Sequence, residues 1–133
     1  MRIQCATTRV FPVLLLEPNP QRAAELAAAL SAAGFEVVVS GSVESALQAL
    51  RTAFFFALIV VVDPADPACN RMLARLRKRA PRSWVIIAAP DCDVQTCDLI
   101  HRYGGDACVA LPLSPEDLID RLEAFQVLAR PSL

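Results

Sequence analysis

The sequence predicts an α/β protein in which helices cover both faces of a doubly wound, five-stranded parallel sheet. Short apolar runs alternate with helix-like segments five times along the chain. The third run, residues 57–62, is apolar throughout, as is typical of a strand that is buried on both faces. A chain of 133 residues is also long enough for one domain with a substantial core. These features favour five βα units joined by right-handed crossovers.

Each predicted element has its own local signal. The strands are expected at residues 13–16, 35–39, 57–62, 84–89 and 107–111, where apolar and β-branched side chains dominate. The helices are expected from Pro20 to residue 33, from Ser42, across the basic segment 71–82, over 94–103 and from Ser114 to residue 129. Their strongest start signals are an N-cap side chain followed by proline, at Asn19 and at Ser114. We expect a flavodoxin-like sheet with strand order 2-1-3-4-5.

The composition excludes several function classes. It is 55% hydrophobic and 20% charged with a net charge of −1, so no global charge excess points to nucleic acid or membrane. The longest apolar run, residues 53–62, is too short to cross a bilayer, and the N-terminus lacks a signal-peptide core. The five cysteines form an odd set without framework spacing, which fits a reducing compartment. We therefore expect a cytoplasmic protein without membrane insertion.

The basic residues are concentrated in one segment. Residues 71–82 contain six basic side chains and no acid, and the rest of the chain is acidic. Helical spacing predicts an outward-facing group made of Arg71, Arg75, Lys78, Arg79 and Arg82. Such a face could meet an acidic protein, nucleic acid or anionic lipid, or it could simply be solvated. Aromatic side chains are not interleaved with these residues, which argues against nucleic acid.

Two acids are expected at the carboxyl edge of the sheet, where open α/β sheets place their sites. Glu17 follows the first predicted strand, and Asp63 follows the third. Asp63 is followed four residues later by Pro67. The segment 104–118 combines a double glycine, a strand, a proline and a strong helix start.

With these features, residues 12–129 resemble the receiver domain of bacterial two-component response regulators. The resemblance implies a flavodoxin-like (CheY-like) fold with five helices, in which Asp63 holds the position of the phosphoacceptor. It also implies that Glu17 and Pro18 stand where the family has a pair of acids that bind Mg²⁺. If the third strand is one residue longer than usual, Val62 takes the acceptor position instead, and the site is equally inactive.

The chain departs from the family pattern at the positions that carry its chemistry. Pro18 replaces one metal-binding acid, and Mg²⁺ needs several well-placed oxygen ligands. By the resemblance, Ala88 stands where the family has a hydroxyl and Leu111 where it has a lysine. Cys108 stands at the position of the switch aromatic. No cofactor is therefore expected, and Glu17 with Asp63 offers at most a weak Mg²⁺ site.

Other candidate sites are weaker. Cys92, Cys97 and His101 suggest a metal site, but a fourth ligand is not evident and Cys92 belongs to a different loop, so zinc is not expected. Cys108 is expected to be a small packing group. At least one ring among Phe54, Phe55 and Phe56 should belong to the core.

We therefore predict a pseudo-receiver: a regulatory, non-enzymatic module that works without aspartyl phosphorylation in bacterial signal transduction or transcriptional control. Its expected partner is another protein or an output domain. By resemblance, the face formed by the fourth helix, fifth strand and fifth helix could also form a homodimer. Residues 1–11 would be an N-terminal extension, and 130–133 a tail or the start of a linker.

Two alternatives remain open. One is a functional receiver that uses Asp63 with Mg²⁺ as a phosphoacceptor. The other is a domain that binds a ligand or nucleic acid through the arginine-rich third helix.

Overall fold

The structure, a computed structural model, describes residues 11–63 and 66–128, in which five strands alternate with five helices. Most of the N-terminal extension, Pro64 and Ala65 of the loop after the third strand, and residues 129–133 lie outside this description. The strands are β1 (Pro12–Leu16), β2 (Glu36–Ser40), β3 (Ala57–Val61), β4 (Trp84–Ala89) and β5 (Ala107–Ala110). The helices are α1 (Pro20–Ala32), α2 (Val43–Thr52), α3 (Cys69–Arg79), α4 (Val94–Arg102) and α5 (Pro115–Leu128).

All strand pairs are parallel, and the sheet has the order β2-β1-β3-β4-β5. This confirms the predicted fold class and strand order. Boundaries differ by one to three residues, most clearly in α3, which starts two residues earlier and ends three residues earlier than the expected segment 71–82. Val62 lies beyond the end of β3, although its N–H still donates to the carbonyl of Ala88 at 2.8 Å.

Alternating side chains of the sheet belong to two separate cores, because successive residues of a strand point to opposite faces. On one face, Leu15 and Ile59 pack in a cluster with Leu26 of α1 and Leu122 of α5. The ring of Trp84 stacks on Phe125 within this layer, with centroids 4.2 Å apart. The second cluster lies under α2, α3 and α4 and contains Leu14, Leu58, Ala46, Leu76 and Ile100.

Polar side chains cap four of the five helices, at Asn19, Ser42 and Ser114 as predicted and also at Asp93. Asn19 Oδ1 accepts the N–H groups of Gln21 and Arg22, and Asp93 Oδ1 accepts that of Thr96 at 2.7 Å. Ser42 and Ser114 cap α2 and α5 through their hydroxyl oxygens. Helix α3 differs, because its N-cap residue is Ala68 and the nearby carboxylate of Asp66 accepts the Ala68 N–H at 2.9 Å. This turn starts α3 two residues before the basic segment.

Within the described part of the chain, the buried apolar side chains are gathered in these two layers. None of its helices has both the length and the hydropathy required to cross a membrane.

Candidate functional site

The carboxyl edge of the sheet carries a shallow cleft, as the parallel arrangement predicts. Its walls come from the ends of β1, β3, β4 and β5 and from the start of α1. The residues that line it include Glu17, Pro18, Arg22, Val61, Asp63, Pro90 and Leu111. The structure therefore brings the two sequence-predicted acids, Glu17 and Asp63, to one cleft.

Glu17 is withdrawn from solvent, and both of its carboxylate oxygens have partners. Glu17 as a whole is 1% exposed. Oε2 accepts the backbone N–H of Asn19 at 3.0 Å, and Oε1 accepts Nε–H of Arg22 at 3.1 Å. The guanidinium therefore provides a positive charge at the place where a metal ion would have to approach this acid.

Arg22 was not predicted as a site residue. Its position follows from the cap at Asn19, which begins α1 directly after Glu17 and sets Arg22 in the first turn. A basic residue there can fold back over the end of β1. The short spacing between Glu17, the cap at Asn19 and Arg22 is visible in the sequence. It predicts that Arg22 contacts Glu17 only when the start of the helix is known.

The sheet register shows which residue of β3 lies beside Glu17, at the end of β1, and beside Ala88 of β4. Leu16 pairs with Val60, so Glu17 and Val61 are the next residues on the two strands. Val61 in turn pairs with Ala88 of β4. Asp63 is two residues further along the chain, is exposed, and accepts the N–H of Asp66 at its carbonyl oxygen at 2.9 Å.

The side chains that surround this level of the sheet are apolar. Ala88 is fully buried at 0% exposure. Leu111 packs against the core under α1 and α5, and its N–H donates to the carbonyl of Ala89 at 2.9 Å. Val61 packs against the same core. Neither a hydroxyl nor an ammonium is supplied by these three residues.

Cys108 has polar surroundings that its predicted role as a packing group did not include. It does pack beside the core under α2 to α4. However, its Sγ lies 2.7 Å from Sγ of Cys92, and the sulfur atoms of Cys92, Cys97 and Cys108 all lie within 4.8 Å of one another. Burial and the neighbouring thiols raise the pKa of Cys108 far above its ordinary value.

His101 is not part of this thiol cluster, although its spacing from Cys97 suggested it. Nδ1 of His101 lies 2.7 Å from the carbonyl oxygen of Gly105, so the ring is engaged by the turn after α4. The third member of the thiol cluster, which the sequence did not reveal, is Cys108. It lies on a different element, β5, eleven residues beyond Cys97 in the chain.

The predicted outward-facing basic residues form what we call the basic surface. Arg71, Arg75, Lys78, Arg79 and Arg82 are all exposed as predicted, although Arg82 lies beyond the end of α3 and is not on the helix. The guanidinium of Arg82 lies 5.9 Å from the centre of the Phe54 ring. Arg79 and Arg82 share a cleft with Arg51 of α2 and with Phe54, which is 59% exposed. Phe55 is buried, which confirms that one of the three rings belongs to the core.

Arg77 is the basic residue of α3 that leaves this surface. Its guanidinium donates to the carbonyls of Gly104 and Ser83 at 2.7 to 2.9 Å and to that of Ala80 at 3.0 Å. It also pairs with Asp106 at 2.7 Å. Arg77 therefore joins the end of α3 to the turn between α4 and β5.

Exposed apolar side chains occur on α4 and α5, two of the elements of the predicted interaction face. Val94 at the start of α4 is 78% exposed, and Val127 and Leu128 at the end of α5 are 84% and 65% exposed.

The sequence matches no model of a known protein family, and no curated protein matches it. Solved structures do resemble this chain. A response regulator receiver domain protein (CheY-like) from Methanospirillum hungatei has a TM-score of 0.77 at 17% identity, covering 91% of this chain and 100% of its own. An orphan response regulator of H. pylori has a TM-score of 0.74 at 22% identity, with 86% and 94% covered.

A third similar structure is described as pilus assembly-related and comes from Burkholderia pseudomallei. Its TM-score is 0.76 at 21% identity, with 91% of this chain and 92% of that chain covered. The chain therefore has the flavodoxin-like (CheY-like) fold of response-regulator receiver domains over nearly its whole length.

Proposed function

We propose that this chain is a pseudo-receiver: a cytoplasmic signalling module that acts by binding a protein partner, without catalysis and without aspartyl phosphorylation. One observation carries the proposal. Glu17, which follows β1, is paired with Arg22, its neighbours on β3 and β4 are Val61 and Ala88, and Leu111 lines the same cleft.

Phosphoryl transfer to a carboxylate depends on positive charge held around the transferring group. Mg²⁺ would need several oxygen ligands in near-octahedral geometry and gives up its water reluctantly. Glu17 is already occupied by a guanidinium and a backbone N–H, and Pro18 can contribute only a carbonyl oxygen. Leu111 cannot orient or neutralise a phosphoryl group. The arrangement thus favours a site that holds no phosphoryl group.

The fold is compatible with a signalling role. The similar structures include proteins described as response regulators and one described as pilus assembly-related. We infer that the output of this chain is a contact surface on α4, β5 and α5, available to a protein partner, an output domain or a second copy. Apolar side chains exposed on these helices include Val94, Val127 and Leu128.

A test of the proposal uses the two-dimensional NMR spectrum of the labelled protein, titrated first with Mg²⁺ and then with beryllofluoride. Beryllofluoride stands in for a phosphoryl group on a carboxylate. We expect the amide signals of Glu17, Val61, Asp63 and Leu111 to stay in place. Saturable shifts that disappear in Asp63→Asn would instead establish the alternative, a phospho-accepting receiver.

A second candidate function is binding of an acidic partner at the basic surface. The cleft that gathers Arg51, Arg79 and Arg82 around the exposed ring of Phe54 favours it, because that arrangement offers positive charge and apolar contact together. The test measures binding of a polyglutamate peptide and of a DNA duplex at two salt concentrations. Charge reversal at Arg75 and Arg79 should abolish salt-sensitive binding, whereas Arg121→Glu on α5 should retain it. Absence of binding in the unaltered protein would reject this function.

A further inference from the structure

Three cysteines from three different elements converge beside α4. Cys92 lies in the loop after β4, Cys97 in the first turn of α4, and Cys108 in the edge strand β5. All three are half-buried and unpaired by disulfides. Their sulfur atoms lie within 4.8 Å of one another.

Local structure fixes each of these positions. Asp93 caps α4 through Thr96, and its carbonyl accepts the Cys97 N–H at 2.9 Å, so Cys97 is held one turn above the loop. Cys108 is held by its pairing with Ile87 in the sheet. Sγ of Cys97 lies 3.5 Å from the carbonyl oxygen of Cys92, which keeps the loop against the helix. The three sulfur atoms are therefore placed by the fold.

We propose that Cys92, Cys97 and Cys108 form a binding site for one thiophilic metal ion, Zn²⁺ or Cu⁺, with three sulfur ligands. Thiolates select these ions over Mg²⁺ and Ca²⁺. A Zn–S distance of 2.3 Å in a tetrahedral site separates two sulfur ligands by about 3.8 Å. The sulfur atoms lie within 4.8 Å of one another, and Cys92 and Cys108, now 2.7 Å apart, would separate by about 1 Å to admit the ion.

Metal binding converts three thiols into thiolates and releases their three protons to solvent, with no change in oxidation state. For Zn²⁺, a water molecule would complete the four-coordinate site. Cu⁺ would be held by the three sulfur atoms alone. The ion would join α4 to β5 and to the loop between β4 and α4. The inference does not depend on whether Asp63 accepts a phosphoryl group.

The first experiment is native mass spectrometry of the reduced full chain after addition of one equivalent of Zn²⁺, or of Cu⁺ under anaerobic conditions, followed by desalting. We expect one ion to be retained, and the better retained ion identifies the metal. Separate replacements of Cys92, Cys97 and Cys108 by serine should each weaken binding by about tenfold or more. Cys69→Ala is the control, because Cys69 is a buried cysteine at the start of α3 and is not part of the thiol cluster.

A second measurement needs no variant. Alkylation of the reduced protein, followed by peptide mapping, should show that the metal protects Cys92, Cys97 and Cys108 together, with Cys5 and Cys69 unaffected. Failure to retain either ion would overturn the proposal, as would full retention by Cys97→Ser. A Cys92–Cys108 disulfide in protein kept under reducing conditions would also overturn it and identify a two-cysteine pair instead.

Discussion

At Glu17, the protein keeps a carboxylate almost entirely out of water. Removal of an ionised carboxylate from solvent is costly unless the group is paired and hydrogen-bonded. Here the compensation comes from the N–H of Asn19 and from the guanidinium of Arg22. The position at the start of α1 adds the favourable field of the helix N-terminus. The acid is thus a structural group as well as a member of the candidate site.

Arg22→Ala tests this role directly. We expect it to lower the free energy of unfolding by about 1 kcal/mol, a modest figure because the Arg22 side chain is 62% exposed and its attraction is screened by solvent. Urea unfolding monitored by circular dichroism measures the change. Glu17→Gln in the Arg22→Ala background should recover part of the loss, since it removes the uncompensated charge.

The control for this experiment is Arg121→Ala. It removes an exposed arginine of α5 that is distant from Glu17 in the chain. It should change the free energy of unfolding by less than about 0.5 kcal/mol. Equal effects of the two substitutions would show that Arg22 has no special role at Glu17.

Among the elements, α3 is attached to the rest of the molecule by Arg77 as well as by its apolar stripe. One guanidinium reaches three segments: the end of its own helix, the start of β4 and the turn before β5. Its side chain is 22% exposed and that of Asp106 is 19% exposed, so the ion pair is less screened than the one at Glu17. Arg77 faces the turn before β5, whereas Arg75 and Lys78 on the same helix are exposed to solvent.

Arg77→Ala should therefore destabilise the protein by about 3 kcal/mol, because several carbonyl oxygens lose their guanidinium donor and the Asp106 carboxylate loses its ion pair, although it still accepts the Val85 N–H. Arg75→Ala on the same helix removes an exposed side chain of the basic surface and should change stability by less than about 0.5 kcal/mol. Chemical unfolding of the two variants provides the comparison. A small effect of Arg77→Ala would mean that α3 is held by its apolar contacts alone.

Helix α4 depends on a different polar group, the exposed N-cap Asp93. The hydrogen bond from Thr96 N–H lowers the pKa of Asp93 below its ordinary value. The cap therefore contributes fully at pH values above the unfolded-state pKa of an aspartate, and its contribution is lost as the pH falls through the lower folded-state pKa. Asp93→Ala should lower the melting temperature at neutral pH and remove this part of the acid sensitivity.

Asp93→Ser is the matched control, because serine can still accept the Thr96 N–H but does not titrate. Thermal melts of both variants and of the unaltered protein between neutral and strongly acidic pH measure the effect. If Asp93→Ala retained the same acid dependence as the unaltered protein, the cap would not be its source.

For the whole molecule, periodic patterns in the sequence were sufficient to predict the fold. The apolar runs and the caps at Asn19 and Ser114 predicted five βα units in the order that is observed. Boundaries shifted by one to three residues because local patterns do not fix where strand pairing or a helix stops. The apolar positions Ala88 and Leu111 were also identified from the sequence, because the resemblance aligned them.

Details that depend on long-range packing could not be predicted. Which residue lies level with Ala88, Val61, Val62 or Asp63, is known only from the pairing of β3 with β4. The thiol cluster requires the edge strand to bring Cys108 to Cys92. Arg22 and Arg77 were missed for a similar reason, since each is a surface arginine by pattern and an ion-pair partner only in the folded chain.

We propose that this protein, with its receiver-like fold, accepts no phosphoryl group. The most direct test is intact-mass spectrometry after incubation with acetyl phosphate and Mg²⁺, beside an Asp63→Asn variant treated in the same way. We predict no acid-labile phosphoryl adduct on either protein. An adduct on the unaltered chain that is absent from Asp63→Asn would contradict the claim, because Glu17 and Asp63 would then suffice for the reaction.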